Sequence, residues 1–137
     1  MMNQSDTIEN RVAKSPIVTI DLQDLVDFDQ FVGLDIADQL FQGLILREMD
    51  FRTFCKQHDW EQYRDKHFYV YCSADAVIPT WAYMLVASKT NGIVASIHFG
   101  IADQAITSIF REKINELAEA DYLDRPVVIK GCGDERV

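Results

Sequence analysis

From His67 onward, three short apolar runs alternate with two helical patterns, and this order constrains the fold more than any other feature of the chain. His67-Phe68-Tyr69-Val70-Tyr71-Cys72 is a continuous apolar and aromatic run bounded by polar residues, the pattern of a strand buried on both faces. Pro79 suits the first turn of a helix, where its missing N–H is no loss. That helix runs through Trp81, Ala82, Tyr83, Met84, Leu85, Val86 and Ala87; being apolar nearly all round, it is expected to pack deeply, with Trp81 and Tyr83 as core residues. Asn91-Gly92 ends it, and Ile93-Val94-Ala95-Ser96-Ile97-His98-Phe99 reads as a strand closed by Gly100. Ala102, Ala105, Ile106, Ile109, Phe110, Ile114, Leu117 and Ala118 then form one apolar stripe at helical spacing, opposite charged residues. Arg125-Pro126 leads into a last strand, Val127-Val128-Ile129. Strand, helix, strand, helix, strand implies right-handed crossovers and parallel pairing. The fold class expected is therefore α/β, with a mainly parallel sheet covered by helices in a three-layer, αβα-like arrangement.

The first half of the chain adds an N-terminal strand or hairpin to this plan. Residues 1–15 are polar and mixed in charge, which reads as a flexible arm, and 16–137 as a single α/β domain. Pro16-Ile17-Val18-Thr19-Ile20-Asp21-Leu22 has the β-branched content of a strand, and Phe31-Val32-Gly33-Leu34 is expected to pair with it. Asp35 is placed to cap a short helix through Leu40, with Gly43 at its end. A longer helix spans about 46–58, where Arg47, Phe51, Phe54, Cys55 and His58 share one face; Cys55 is expected to be buried. Asp59-Trp60-Glu61-Gln62-Tyr63 reads as a short helical link.

Composition excludes several function classes. A chain of 137 residues that is 48% hydrophobic can bury a core without a disulfide or structural metal. The net charge of -9, from 22 acidic against 13 basic residues with no basic block, argues against a nucleic-acid partner. The polar start lacks a signal-peptide core, and no run approaches the roughly 18 apolar residues of a membrane span. A cytoplasmic protein with reduced thiols is expected, because Cys55, Cys72 and Cys132 make neither a CxxC pair nor a disulfide framework. The chain also lacks GxGxxG, GxxxxGK[ST], GxSxG and HExxH.

Two similar turns locate the candidate chemistry. Tyr71-Cys72-Ser73-Ala74-Asp75 follows one apolar run and Lys130-Gly131-Cys132-Gly133-Asp134 another, so each strand ends in a small residue, a thiol and a carboxylate. Were the two strands parallel neighbours, both turns would open on the carboxyl edge of one sheet, where α/β proteins bind ligands. Cys72 lies before a helix start, where the dipole favours a thiolate. Cys132 stands between glycines that permit an anion-binding nest, a metal-ligand loop or a tight bend. Asp75 and Asp134 suit metal ligation, proton acceptance or capping, and His98, near a strand end, is a further candidate ligand. The plain structural alternative makes Cys72 the last core residue of its strand and Asp75 a turn cap.

Several long segments carry a resemblance: Glu9–Ser15, Leu40–Glu48 with Asp50-Phe51-Arg52, Cys72–Ala76 with Pro79–Leu85, and Val127–Asp134. Together they resemble a bacterial family, domain of unknown function 2480, over nearly the whole chain. The resemblance implies no activity. It implies a continuation past Val137 with a proline and an Ala-Tyr pair echoing Pro79 and Ala82-Tyr83, so a truncated or a naturally shortened end are both open. It also implies a link to sulfur or iron handling, since family genes are found near iron–sulfur cluster assembly genes. The leading reading is an accessory protein whose edge, built from Cys72, Asp75, Cys132 and Asp134 with His98 nearby, binds iron, zinc, an iron–sulfur cluster or a sulfur-carrying partner. One rival is an enzyme with Cys132 or Cys72 as nucleophile or redox thiol and Asp134 or Asp75 as its proton acceptor. The other is a pure interaction module recruiting another protein or a second copy.

Overall fold

A computed structural model describes residues 16–131 and Gly133; Cys132 and Asp134 of the second turn, like the arm 1–15, lie outside the described residues. The run at His67 forms β3 (His67–Tyr71), the centre of a three-stranded parallel sheet. It is flanked by β2 (Phe31–Asp35) and β4 (Ser96–Phe99). The register sets Phe31 beside His67 and His67 beside Ser96. Strand alternation then sorts the side chains. Phe68 and Val70 are fully buried among residues of α1 (Glu48–Gln57) and α2 (Thr80–Thr90). Burial of this extent stabilises by roughly 1.5–3 kcal/mol per side chain. His67, Tyr69 and Tyr71 point to the other face.

That second face is covered by α3 (Ala102–Asn115), which packs on all three strands of the sheet. Its stripe buries Ala105, Ile106 and Ile109, apart from the cluster around Phe68. The sheet is thus a middle layer, as expected. At the centre of this face Gly33 stands beside Tyr69 in register. The Tyr69 ring lies where a Cβ on Gly33 would go, so the glycine is a steric requirement of the packing.

The expected first helix face is present. Phe51 and Cys55, one turn apart on α1, are sealed in the core, and the Trp60 indole N–H donates to the Cys55 carbonyl at 2.9 Å. Short 3-10 turns replace the short helices at Ile36–Gln39 and Trp60–Tyr63. Each begins at an aspartate: the Asp35 carboxylate accepts from the Ala37 N–H and that of Asp59 from the Glu61 N–H.

Four expectations are corrected. The strand at 31–34 pairs with β3 and not with the first strand, which instead forms β1 (Val18–Asp21). The last strand, β5 (Val127–Lys130), pairs in parallel with β1 in a separate two-stranded sheet, so β3 and β5 are not neighbours. Apolar content marks a strand but carries no address for its partner, and Lys130 Nζ to Asp21 Oδ2 at 3.1 Å closes the end of the second pair. The helix at Pro79 is not packed all round: α2 buries Ala82, Val86 and Thr90, while Met84 stands 67% exposed. Finally, α2 begins at Thr80, with Pro79 as its cap, so Pro79 stands one position before the first helical turn in which it is expected.

Candidate carboxyl-edge crevice

The chain leaves the adjacent strands β3 and β4 toward opposite faces of the sheet. After β3 it runs through 72–79 to α2 on one face, and after β4 it turns at Gly100 into α3 on the other. Two neighbouring strands whose exits diverge in this way leave a crevice beyond their carboxyl ends, the usual ligand position in open parallel sheets. A cavity of about 360 Å³ occupies it, lined on one side by Tyr71, Cys72, Ala76 and Ile78 and on the other by Phe99, Gly100 and Ile101. This volume is at the lower end of the range for small-molecule sites.

Each wall has a local cause. Cys72 continues the alternation of Phe68 and Val70 and packs half-buried against the same core cluster; its thiol donates weakly to the Ala74 carbonyl at 3.5 Å. The Ala76 N–H donates to that same carbonyl at 2.9 Å, folding the segment back under the thiol. Asp35, at the end of β2, accepts the Ser73 N–H at 3.0 Å and so fixes the chain as it leaves Cys72. Burial works against ionisation of Asp35, but hydrogen bonds from Ser73 and Ala37 outweigh it and hold the carboxyl below its ordinary value.

Across the crevice, Tyr83 of α2 meets Phe99 edge to face, with ring centroids 5.5 Å apart. Burial, and then the nearby Cys72, push the Tyr83 hydroxyl above its ordinary value, so it remains a protonated donor at neutral pH. Gly100 has a φ of +134°, a conformation that favours glycine, and the Gln104 side-chain carbonyl occupies the place of its missing Cβ. That carbonyl accepts the Ile101 N–H at 3.2 Å, which shapes the entry to α3.

The sequence candidates are distributed unequally around this site. Cys72 lines the crevice and Asp75 is exposed in the segment beside it. His98 stands in register with Tyr69 and faces α3, on the opposite side of the sheet from Cys72. There its Nε2 shares the Ser96 hydroxyl with His67 Nδ1, both at 2.8 Å. Burial lowers the pKa of both imidazoles, and His98 lowers that of His67 further. His58 stacks on Tyr63, their Nε2 and hydroxyl 2.8 Å apart. Cys55 is core, its thiol pushed up to about 11 by burial. Among the described residues no three His, Cys, Asp or Glu side chains converge as a metal-ligand group.

The structure also supplies site residues that sequence reasoning assigned elsewhere or passed over: Tyr83, read as core, and Asp35, Phe99, Gly100 and Gln104. Gly100 was visible as a strand end, but nothing in its spacing announces a crevice. These features define a three-layer α/β protein with a thiol in a crevice of mixed polar and apolar lining at the carboxyl edge of its sheet. The chain belongs to the family described as protein of unknown function (DUF2480), whose model matches residues 6–137. No curated protein and no solved structure matches it. Among the described residues no helix is long and apolar enough to cross a membrane.

Proposed function

We propose that the protein is an accessory binding protein that receives a sulfur-carrying partner at Cys72. The observation that carries the reading is the placement of this thiol in the crevice between Tyr83, Phe99 and Ile101, while Cys55 is sealed in the core. Binding, more than catalysis, is favoured because the three histidines are engaged away from the thiol, with Tyr63 and with Ser96. The step is thiol–disulfide exchange. The Cys72 thiolate attacks one sulfur of the partner's disulfide, a bond forms to Cys72 Sγ, and the partner's own S–S bond breaks. The leaving sulfur keeps the electron pair and takes up the proton that Cys72 gave to solvent, so there is no net oxidation. Tyr83, a protonated donor lining the same crevice, is the residue proposed to orient the incoming sulfur group.

The test is reaction of the native protein with hydroxyethyl disulfide followed by peptide mapping. The expected result is an adduct on Cys72 and none on Cys55. Unmodified Cys72 under conditions that convert free cysteine would overturn the reading. A metal-bearing version needs Cys132 and Asp134 to reach Cys72 and Asp75. Stoichiometric iron or zinc in anaerobically purified protein, lost in Cys132→Ser, would replace the partner reading with that one.

A further inference from the structure

The geometry points to an acid-sensitive latch that holds α3 on the sheet: the hydroxyl of Ser96 ties His67 to His98 in one hydrogen-bonded chain, and the second proton this chain takes up releases the helix. The sheet parts His98 from Cys72, so the latch stands or falls independently of any binding at the thiol. Ser96 Oγ is 2.8 Å from His67 Nδ1 and 2.8 Å from His98 Nε2. A hydroxyl has one hydrogen to donate, so one imidazole accepts from Ser96 while the other donates to it. A first proton can enter at the far nitrogen of the donating ring and leave both contacts in place. A second must enter at the accepting nitrogen. The hydroxyl then faces two N–H groups, its own hydrogen loses its acceptor within the chain, and two cations flank one oxygen.

The surroundings can answer one positive charge but not two. Burial disfavours charge on both rings; of the groups that α3 brings, Glu112 favours it on both, and Lys113 opposes it at His67. From β3 comes Tyr69, in register with His98, and from β2 the uncharged ring of Phe31, 5.0 Å from that of His67. Lys66, just before His67 in the chain, is drawn to Gln30 and the Asp29 carbonyl. The face beneath α3 also has less apolar burial to lose. The sealed side chains of α3 are Ala105, Ile106 and Ile109, whereas α1 and α2 share the cluster that includes Phe51, Phe68, Val70 and Val86. Elements with little buried apolar surface open first, so α3 leaves the sheet while the opposite layer stays folded. Ile101 and Gln104, at the start of α3, line the carboxyl-edge crevice, so the same motion opens that wall.

The test is amide hydrogen exchange of the native protein at pH 7 and at pH 5, each rate divided by the intrinsic rate of an unfolded chain at that pH. Protection of the α3 amides from Ala105 to Ile109 is expected to fall about tenfold more than that of the α2 amides from Ala82 to Val86. In His67→Gln and in His98→Gln, each of which leaves a single imidazole on Ser96, this excess should shrink below about threefold. The readout is the change with pH within each protein, so a general loss of stability in a variant does not move it. Parallel loss of protection in α3 and α2 of the wild type would overturn the latch, and so would a tenfold excess retained in both variants.

Discussion

Asp35 and Ser73, thirty-eight residues apart in sequence, are joined by a 3.0 Å hydrogen bond from the Ser73 N–H to the Asp35 carboxylate. The same oxygen accepts the Ala37 N–H at 2.9 Å, so one side chain both starts a turn and anchors the chain leaving the thiol. Asp35→Ala removes the acceptor of two backbone donors and should cost about 1–3 kcal/mol. Asp35→Asn, which keeps an acceptor oxygen, should cost less. Urea denaturation gives the stabilities, and alkylation of Cys72 in the folded alanine variant should be faster than in the wild type because its segment is released.

Gly33 and Tyr69 should couple strongly. A methyl group added at Gly33 meets the Tyr69 ring, so Gly33→Ala should destabilise by about 1–3 kcal/mol through overpacking. In the Tyr69→Ala background that penalty should largely vanish. A double-mutant cycle by chemical denaturation measures the difference; additive effects would mean that the ring does not lie over the glycine.

Acid should weaken the fold through its histidines. His58, His67 and His98 are all held below their ordinary value of 6.5, in each case first by burial. A lowered folded-state pKa means that the unfolded chain binds more protons, so stability falls as pH drops through about 6.5 toward the folded values. Around the His67–Ser96–His98 chain the charged groups that act are Glu112 and Lys113 of α3, and Glu112 opposes the shift. Urea midpoints between pH 8 and pH 5 should fall, and His67→Gln with His98→Gln should flatten that fall. An unchanged slope in the double variant would assign the acid sensitivity to other groups.

The core should answer to the loss of one fully buried ring. Phe51 is fully buried and meets both Phe54 and Trp81, so Phe51→Ala should cost about 3–5 kcal/mol. That is a large part of the 5–15 kcal/mol typical of a domain. Alkylation of Cys55, one turn away on α1, provides the companion readout, being slow in the native wild type and accelerated in the variant.

The fold was legible where one residue pattern decides one element, and obscure where partners or exits decide. The unbroken run of β3, the Phe51 and Cys55 pair on α1 and the stripe of α3 all follow from local periodicity, and so did the layered parallel arrangement around β3. Pairing was less accessible. Val18–Asp21 and Val127–Lys130 are both short β-branched runs, and nothing local to either distinguishes the other from β2 or β4 as a neighbour. α2 misled for a related reason: an all-round apolar helix reads as core, yet Met84 faces outward. Cys72, and Asp75 three residues on, are marked in the sequence by their position after a strand. The crevice itself depends on the chain leaving β3 and β4 toward opposite faces, and Tyr83 and Phe99 come together only as a result of that divergence.

The most direct measurement is the structure of the protein after reaction with hydroxyethyl disulfide. The account predicts a hydroxyethylthio group bonded to Cys72 Sγ and lying in the crevice between Tyr83, Phe99 and Ile101. An unmodified Cys72, or an adduct turned out of the crevice into solvent with those three side chains untouched, would contradict it.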